Sequence, residues 1–438
     1  MKSRQLYVCS ACGQASPRWQ GQCPGCKAWN SLVAEAPPPP GRVRAAGPGR
    51  RTPPSVLAEA SVDSLAARQS GLPEFDRFLG RGLIAGSAML LAGEPGVGKS
   101  TLLLQLAGAV AASGGHTVYA SGEESLPQLK DRAERLGVLS PRLLALATSS
   151  LEDILSALDH QPAPDLLIVD SVQTVASSEI DGIPGSVSQV RAVAGSLVEA
   201  VKKTSSTLIL VGHVTKDGQI AGPKLLEHMV DTVLSLEGER RHLFRILRLQ
   251  KNRFGPSDEL LVMSMDESGL TIVPDPSTFF LGEREPGLPG TAVVMTVDGH
   301  RPLAVEVQAL VTGSFLAMPR RTSLGFDANR LHLILAVMEK HLGTQLGQLD
   351  VYAKIGAGLK LQEPGLDLGL AAAVLSSLSG RALPPQAVFW GEIDLNGRIR
   401  PCAEDHLRLR QAERLGYAPI LRAGPKLRTL GDLARALE

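Results

Sequence analysis

The sequence predicts an α/β protein: a parallel sheet with crossover helices, preceded by a small cysteine-rich module and followed by a separate α+β domain. Three observations carry that prediction. From about Ser61 to Val273, apolar runs of β type (AMLLAG, TVYASG, DLLIVD, TLILVG) alternate with helix-like stretches (TLLLQLAGAVAAS, QVRAVAGSLVEAVKK), the order of successive βαβ units. Four of the five cysteines fall in two CxxC pairs near the N-terminus. After PDPS at 274–277 the alternation gives way to hairpin-like strands, TAVVMTVDG and PLAVEVQALV, then a helix, NRLHLILAVMEKHLG. At 438 residues the chain exceeds what one core supports, and 44% hydrophobic with 20% charged residues is a globular mix, unlike disordered, collagenous or membrane-spanning chains.

At the N-terminus, MKSRQLYVCS has charge but no apolar h-region, and later apolar stretches are interrupted by Gly, Ser or charge before a bilayer could be spanned; a cytoplasmic protein is expected. Cys9, Cys12, Cys23 and Cys26 form C-x2-C, a ten-residue spacer and C-x2-C, enough thiolates to close a tetrahedral Zn²⁺ shell with no open position, so the expected site is structural. A redox dithiol would leave the duplicated motif unexplained. The expected zinc finger, residues 1–35, is too small to fold without metal. Trp19, Trp29, Arg18 and Lys27 suit a nucleic-acid or protein surface.

Residues 36–56, rich in Pro, Gly and Arg, read as an extended linker. The formal net charge of +1 hides a split: residues 1–56 carry eight Lys and Arg against one Glu, whereas the remainder holds 37 basic and 43 acidic residues. A basic arm on a mildly acidic body suits a polyanion, as it also suits a solvated linker.

The expected ATPase domain, 57–275, holds the sharpest motif. Gly93-Glu94-Pro95-Gly96-Val97-Gly98-Lys99-Ser100-Thr101 fits G-x-x-x-x-G-K-[ST], after an apolar strand and before an apolar helix. Glycines let backbone N–H groups wrap phosphates, Lys99 reaches the β/γ oxygens of ATP, and the Ser100 hydroxyl binds Mg²⁺. Asp170 ends the buried run Leu166–Val169, where a second-shell Mg²⁺ carboxylate is needed. Hydrolysis also needs a carboxylate on the attacking water; Glu123 and Glu124 both follow the strand Thr117–Ser121, and Glu123 is preferred. In the C-terminal domain, expected over 283–438, Asn396-Gly397 within WGEIDLNGRIRP signals a type I′ turn.

Four features in this order, the paired CxxC motifs, GEPGVGKST, the pentapeptide Lys251-Asn252-Arg253-Phe254-Gly255 and a C-terminal part similar to the proteolytic domain of Lon, resemble the bacterial RadA (Sms) family of DNA repair proteins over the whole chain. The resemblance implies a RecA-like P-loop ATPase core and a Lon-protease-like (ribosomal S5 domain 2-like) C-terminal domain. It further implies a homo-oligomeric, usually hexameric, ring acting on single-stranded and branched DNA, which promotes branch migration of RecA-made intermediates. KNRFG also resembles the basic hairpin of DnaB-type helicases, implying that Lys251 and Arg253 reach a neighbour's ATP; two cations on one strand face could clamp γ-phosphate charge. The resemblance places DNA loops at about 173–187 and 215–224, with Lys216 and Lys224 as DNA-binding candidates and His213 as a γ-phosphate sensor. The zinc module would dock to DNA, to RecA or to the ATPase core.

The segment Glu363–Leu370 resembles the Lon nucleophile turn, but Asp367 stands where the serine belongs and the lysine position falls near His406. A carboxylate cannot replace that hydroxyl in acyl transfer. The domain is therefore expected to be proteolytically inactive, a scaffold whose Arg320, Arg321, Arg330, Lys354 and Lys360 are candidate phosphate contacts or solvated charges. Three functions compete: a DNA motor, which leads; a RecA-like ATPase switch regulating a protein partner without DNA translocation; and an active protease.

Overall fold

The computed structural model describes residues 6–9, 15–16, 18–24, 27–35, 66–213, 224–238, 244–257, 259–274, 276–281, 285, 287–299, 301–316 and 318–438. The linker 36–56 lies outside these residues. The chain divides into two compact units, Met1–Ile272 and Val273–Glu438.

In the first unit, β1 (Leu6–Cys9) pairs antiparallel with β2 (Ala15–Ser16) and β3 (Leu32–Glu35). A ribbon this small closes over Cys9, Cys23 and Leu32, with Tyr7 against them. The larger body follows: β4 (Ala67–Arg68), α1 (Pro73–Leu79), β5 (Leu83–Ile84), β6 (Ala88–Gly93), α2 (Lys99–Ala112), β7 (Thr117–Ser121), α3 (Leu126–Arg135), β8 (Leu143–Ala147), α4 (Leu151–Leu158), β9 (Leu166–Asp170), α5 (Val187–Thr204), β10 (Thr207–His213), α6 (Lys224–Met229), β11 (Thr232–Glu237), β12 (Phe244–Asn252), β13 (Glu259–Asp266) and β14 (Gly269–Ile272). Nine strands form one sheet in the order β14-β13-β12-β11-β6-β10-β9-β7-β8.

Alternation along the buried strands sends side chains to two cores. Met89, Leu91, Leu166, Ile168, Ile209 and Val211 face α1, α2 and α3; Ala88, Leu90, Leu167, Val169, Leu208 and Leu210 face α4, α5 and α6. Helix α5 buries Val190, Val193, Ala194, Leu197 and Val201, the three-to-four spacing of a one-sided helix, whereas α2 is apolar almost all round.

The strands from β8 to β11 are parallel as the alternation predicts, but β12, β13 and β14 continue the sheet antiparallel. The connections after β12 and β13 are short turns, which cannot carry a crossover. No described helix is long and apolar enough to cross a membrane.

The second unit contains α7 (Pro276–Leu281), β15 (Thr291–Asp298), β16 (Arg301–Gly313), β17 (Arg321–Leu324), α8 (Ala328–Leu342), β18 (Leu349–Ile355), α9 (Leu366–Ser379), β19 (Val388–Trp390), β20 (Glu392–Ile393), β21 (Ile399–Arg400), α10 (Asp405–Arg414), β22 (Ile420–Arg422) and α11 (Leu430–Leu437). Its six-stranded sheet runs β17-β18-β16-β15-β19-β22, with β15 and β16 as the antiparallel pair read from the sequence. The expected type I′ turn is corrected. Residues 394–398 form a longer loop between β20 and β21 in which the Asp394 carboxylate accepts from the N–H groups of Asn396 and Arg398, both at 2.9 Å, and only Gly397 takes positive φ (+68°). A type I′ turn needs positive φ at both central residues.

Candidate nucleotide site and its surroundings

Strand β6 delivers the phosphate loop and α2 receives it. Glu94, Pro95 and Gly96 are exposed, and Lys99 is buried. Gly98 has φ +114°, a conformation open essentially to glycine. At Gly93 a Cβ would lie 2.6 Å from the Leu236 carbonyl oxygen, so the close approach of β11 requires glycine there. The α2 N-terminus has no side-chain cap, leaving its first N–H groups for an anion at the positive helix end.

Lys99 Nζ donates to the carbonyls of Gly93 and Glu94, at 2.9 and 3.0 Å. Burial lowers its pKa, and the negative charges of Asp170 and Glu123 oppose that shift. Asp170 is buried at the carboxyl end of β9, beside Ser121 at the end of β7. Its Oδ2 accepts from the Tyr119 hydroxyl at 2.6 Å, and the Ser100 side chain hydrogen-bonds to the same phenol. The Asp170–Ser171 peptide bond is cis.

The two glutamates after β7 separate clearly. Ser171 Oγ donates to Glu123 Oε1 at 2.8 Å, tying Glu123 to the end of β9 near Lys99 and Asp170. Glu124 turns to Arg132, at 2.5 Å. The site thus gathers Lys99, Ser100, Glu123 and Asp170 at the carboxyl edge of parallel strands, where ligands of such sheets bind. A hydroxyl, a carboxylate, an ammonium and a helix N-terminus are the donor set that magnesium-bound phosphates require.

Two residues of this neighbourhood escaped the sequence reading. Tyr119 looked like one more strand residue. Arg245 on β12 is buried and donates from Nε to the Val97 carbonyl at 2.9 Å, across 148 residues of sequence, so it holds the phosphate loop from behind. Neither lies in a motif, and only a polar side chain inside a buried strand hints at them.

Lys251 and Arg253 lie away from this pocket's donor set. Lys251 Nζ donates to the carbonyls of Glu227 and Val230, at 2.6 and 2.8 Å. Arg253 follows the end of β12 and forms a 3.4 Å ion pair with Asp231, its side chain 57% exposed. Asp231 in turn accepts from the Ala88 N–H at the start of β6. The strand-face reading therefore holds for Lys251 alone, because β12 ends at Asn252 and Arg253 enters the turn.

The loop at 173–187 is pinned at its base. Gln189 Nε2 donates to the carbonyls of Ser177, Ile180 and Gly182, and Glu152 accepts from Ser177 Oγ and the Ser178 N–H. Ile183 projects at the loop tip, 77% exposed. Lys216 and most of the second loop lie outside the described residues, as do the side chains of Lys224 and His213.

Of the four metal-ligand cysteines, Cys9 and Cys23 are described and both are buried in one cluster; Cys12 and Cys26 lie outside the described residues. One thiol from each CxxC pair thus reaches a common interior, which fits a shared zinc ion. The Cys23 N–H donates to the Ala28 carbonyl and the Lys27 N–H to the Cys23 carbonyl, both at 2.9 Å, a tight turn around the second pair. Trp19 and Trp29 are exposed.

In the second unit, Asp367 opens α9 and is buried. Arg330 reaches it with two hydrogen bonds, 2.5 and 2.8 Å, and the Ile393 N–H donates at 3.0 Å. Burial raises the Asp367 carboxyl and these donors oppose it. Arg330, read as a candidate phosphate contact, is corrected to the partner of this carboxylate. Arg321 likewise donates to the carbonyls of Leu346 and Leu349. His406 pairs loosely with Glu404, at 3.7 Å. Cys402 is half-buried, its thiol pushed up to about 11 by burial.

Comparison with known proteins agrees with this geometry. A family model described as an AAA domain matches residues 53–219, and one described as a rubredoxin metal binding domain matches residues 7–34. Fold and site define a RecA-like P-loop ATPase with an N-terminal zinc ribbon and a C-terminal α+β domain. The chain belongs to the RadA family of DNA repair proteins. It is 44% identical over 425 residues to DNA repair protein RadA of Brucella abortus, covering 95% of this chain and 91% of that protein. With RadA of Bacillus subtilis it shares 43% over 430 residues, 96% and 92% of the two chains, and with RadA of Streptococcus pyogenes serotype M3 43% over 439 residues, 100% and 96%. Among solved structures, a KaiC-like protein from Pyrococcus horikoshii aligns with TM-score 0.40 and 19% identity over 48% of this chain and 100% of that one.

Proposed function

We propose that the chain is a DNA-dependent ATPase and helicase that processes recombination intermediates in the cytoplasm, promoting branch migration of RecA-mediated strand exchange during DNA repair. The observation that carries this reading is the convergence of Lys99, Ser100, Glu123 and Asp170 on one strand edge, within a family named for DNA repair. The zinc ribbon is structural, held by Cys9, Cys12, Cys23 and Cys26, and works as a docking module.

In ATP hydrolysis the N–H groups of Gly93–Thr101 hold the phosphates, and Lys99 leaves the Gly93 and Glu94 carbonyls to meet the γ-phosphoryl oxygens. Ser100 and Asp170 would hold Mg²⁺, which when bound neutralises charge between the β- and γ-phosphates. Glu123 orients the attacking water, because Glu124 is already committed to Arg132. Arg253 completes the site of the next subunit in a homo-oligomeric, hexameric ring, and the loop bearing Ile183, with Lys216 and Lys224, meets single-stranded or branched DNA in its channel. The Lon-like domain serves as a scaffold: Asp367 supplies no hydroxyl nucleophile and its carboxylate is engaged by Arg330.

Lys99→Ala tests the reading. Hydrolysis should fall to background because the cation on the transferred phosphoryl group is lost, while far-UV circular dichroism should show the fold retained, since the change removes two hydrogen bonds to the loop's own carbonyls and no apolar packing of the core. Retained turnover in that variant contradicts the assignment.

A further inference from the structure

We infer that Tyr119 positions the magnesium carboxylate: its buried phenol holds Asp170 in the orientation that magnesium-bound nucleotide requires. This rests on the ATPase reading above and extends it to a residue outside every motif of the fold.

Tyr119 sits in the middle of β7, opposite Ile168 of β9, two positions before the pair Ser121 and Asp170. Its side chain is 1% exposed. The period of two along a strand brings Tyr119 and Ser121 to one face, so the phenol reaches along the sheet toward the carboxyl edge. There it donates to Asp170 Oδ2 at 2.6 Å, and the Ser100 side chain hydrogen-bonds to the phenol as well. One buried oxygen thus touches both residues that would hold the metal.

An ionised carboxylate only accepts, so the single phenolic proton is committed to Asp170. The carboxylate therefore cannot rotate without breaking a buried, charge-assisted bond. A phenylalanine would fill the same space without burying a hydroxyl, which costs free energy unless it is hydrogen-bonded. Groups that orient a metal's ligands in this way typically alter metal affinity by about 10- to 100-fold when removed.

The test is binding of a fluorescent ATP analogue to the full-length protein, titrated with Mg²⁺ and repeated in EDTA, for wild type and Tyr119→Phe. The Mg²⁺ midpoint should rise by about 10- to 100-fold in Tyr119→Phe, with nucleotide affinity in EDTA and the thermal transition near wild type. In an Asp170→Asn background the same substitution should leave the midpoint unchanged, because Tyr119 acts through that carboxylate. An unaltered midpoint in Tyr119→Phe, an equal loss with and without metal, or an undiminished effect beside Asp170→Asn overturns the proposal. A wild-type protein that binds nucleotide with no response to Mg²⁺ overturns the ATPase reading itself, which separates the two failures.

Discussion

Lys251 Nζ caps the carbonyl of Val230 at 2.8 Å, just beyond the end of α6. The ammonium that the family resemblance assigns to a neighbouring subunit is therefore engaged within its own chain, on Glu227 and Val230, and burial lowers its pKa. Arg253, two residues on, has a longer ion pair and an exposed side chain. Lys251 anchors the hairpin within its own chain, so the proposed contact with a neighbour's ATP falls to the exposed Arg253.

Arg253→Ala should leave ATP binding nearly normal and cut turnover by about 10²- to 10⁵-fold if it acts as an arginine finger. Mixing it with Lys99→Ala chains sharpens the measurement. Mixed rings contain interfaces where an intact Lys99 faces an intact Arg253, and those should recover partial hydrolysis. Mixed rings that stay inactive would assign Arg253 to the hairpin's own structure or to DNA.

Glu123→Gln should lower turnover by about 10²- to 10⁴-fold, the usual worth of a positioned base. Glu124→Gln should change turnover only a few-fold, since it weakens an ion pair with Arg132 whose two side chains are each 25% exposed and which does not face the nucleotide. Steady-state rates at saturating ATP decide, and an inverted order would hand the water to Glu124.

Replacing Cys9 and Cys23 by Ser should release zinc, measured by elemental analysis, and unfold the ribbon of β1–β3 while the thermal transition of the ATPase body stays in place. Wild-type protein without metal would refute the site.

Arg330→Ala should destabilise the second unit by about 3–5 kcal/mol, because it leaves the buried Asp367 carboxylate unpaired. The double variant Arg330→Ala/Asp367→Ala should recover much of that loss in denaturant titrations. Asp367→Ser should not degrade casein, since no lysine stands where the dyad's base belongs; proteolysis by that variant would contradict the scaffold reading.

What was legible in the sequence was local. The phosphate loop, the strand-ending Asp170 and the cysteine pairs each sit within a few residues of what defines them, and the apolar runs that became β6, β7 and β9 are fully buried strands. Contacts set by packing were not. Arg245 on Val97, Tyr119 on Asp170 and Arg330 on Asp367 join residues 148, 51 and 37 positions apart, and only the folded sheet and helix register brings them together. The loop at Asn396-Gly397 shows the converse: a local turn signal lost to the Asp394 carboxylate, which gathers two backbone N–H groups into a wider loop.

The most direct measurement is the rate of ATP hydrolysis by the full-length protein with and without single-stranded DNA. A DNA motor should turn over slowly alone and accelerate severalfold when DNA fills the channel, with acceleration fading as salt rises, because phosphate contacts release counterions. A rate indifferent to DNA at low salt, with Lys99-dependent hydrolysis intact, would contradict the motor and leave an ATPase switch acting on a protein partner.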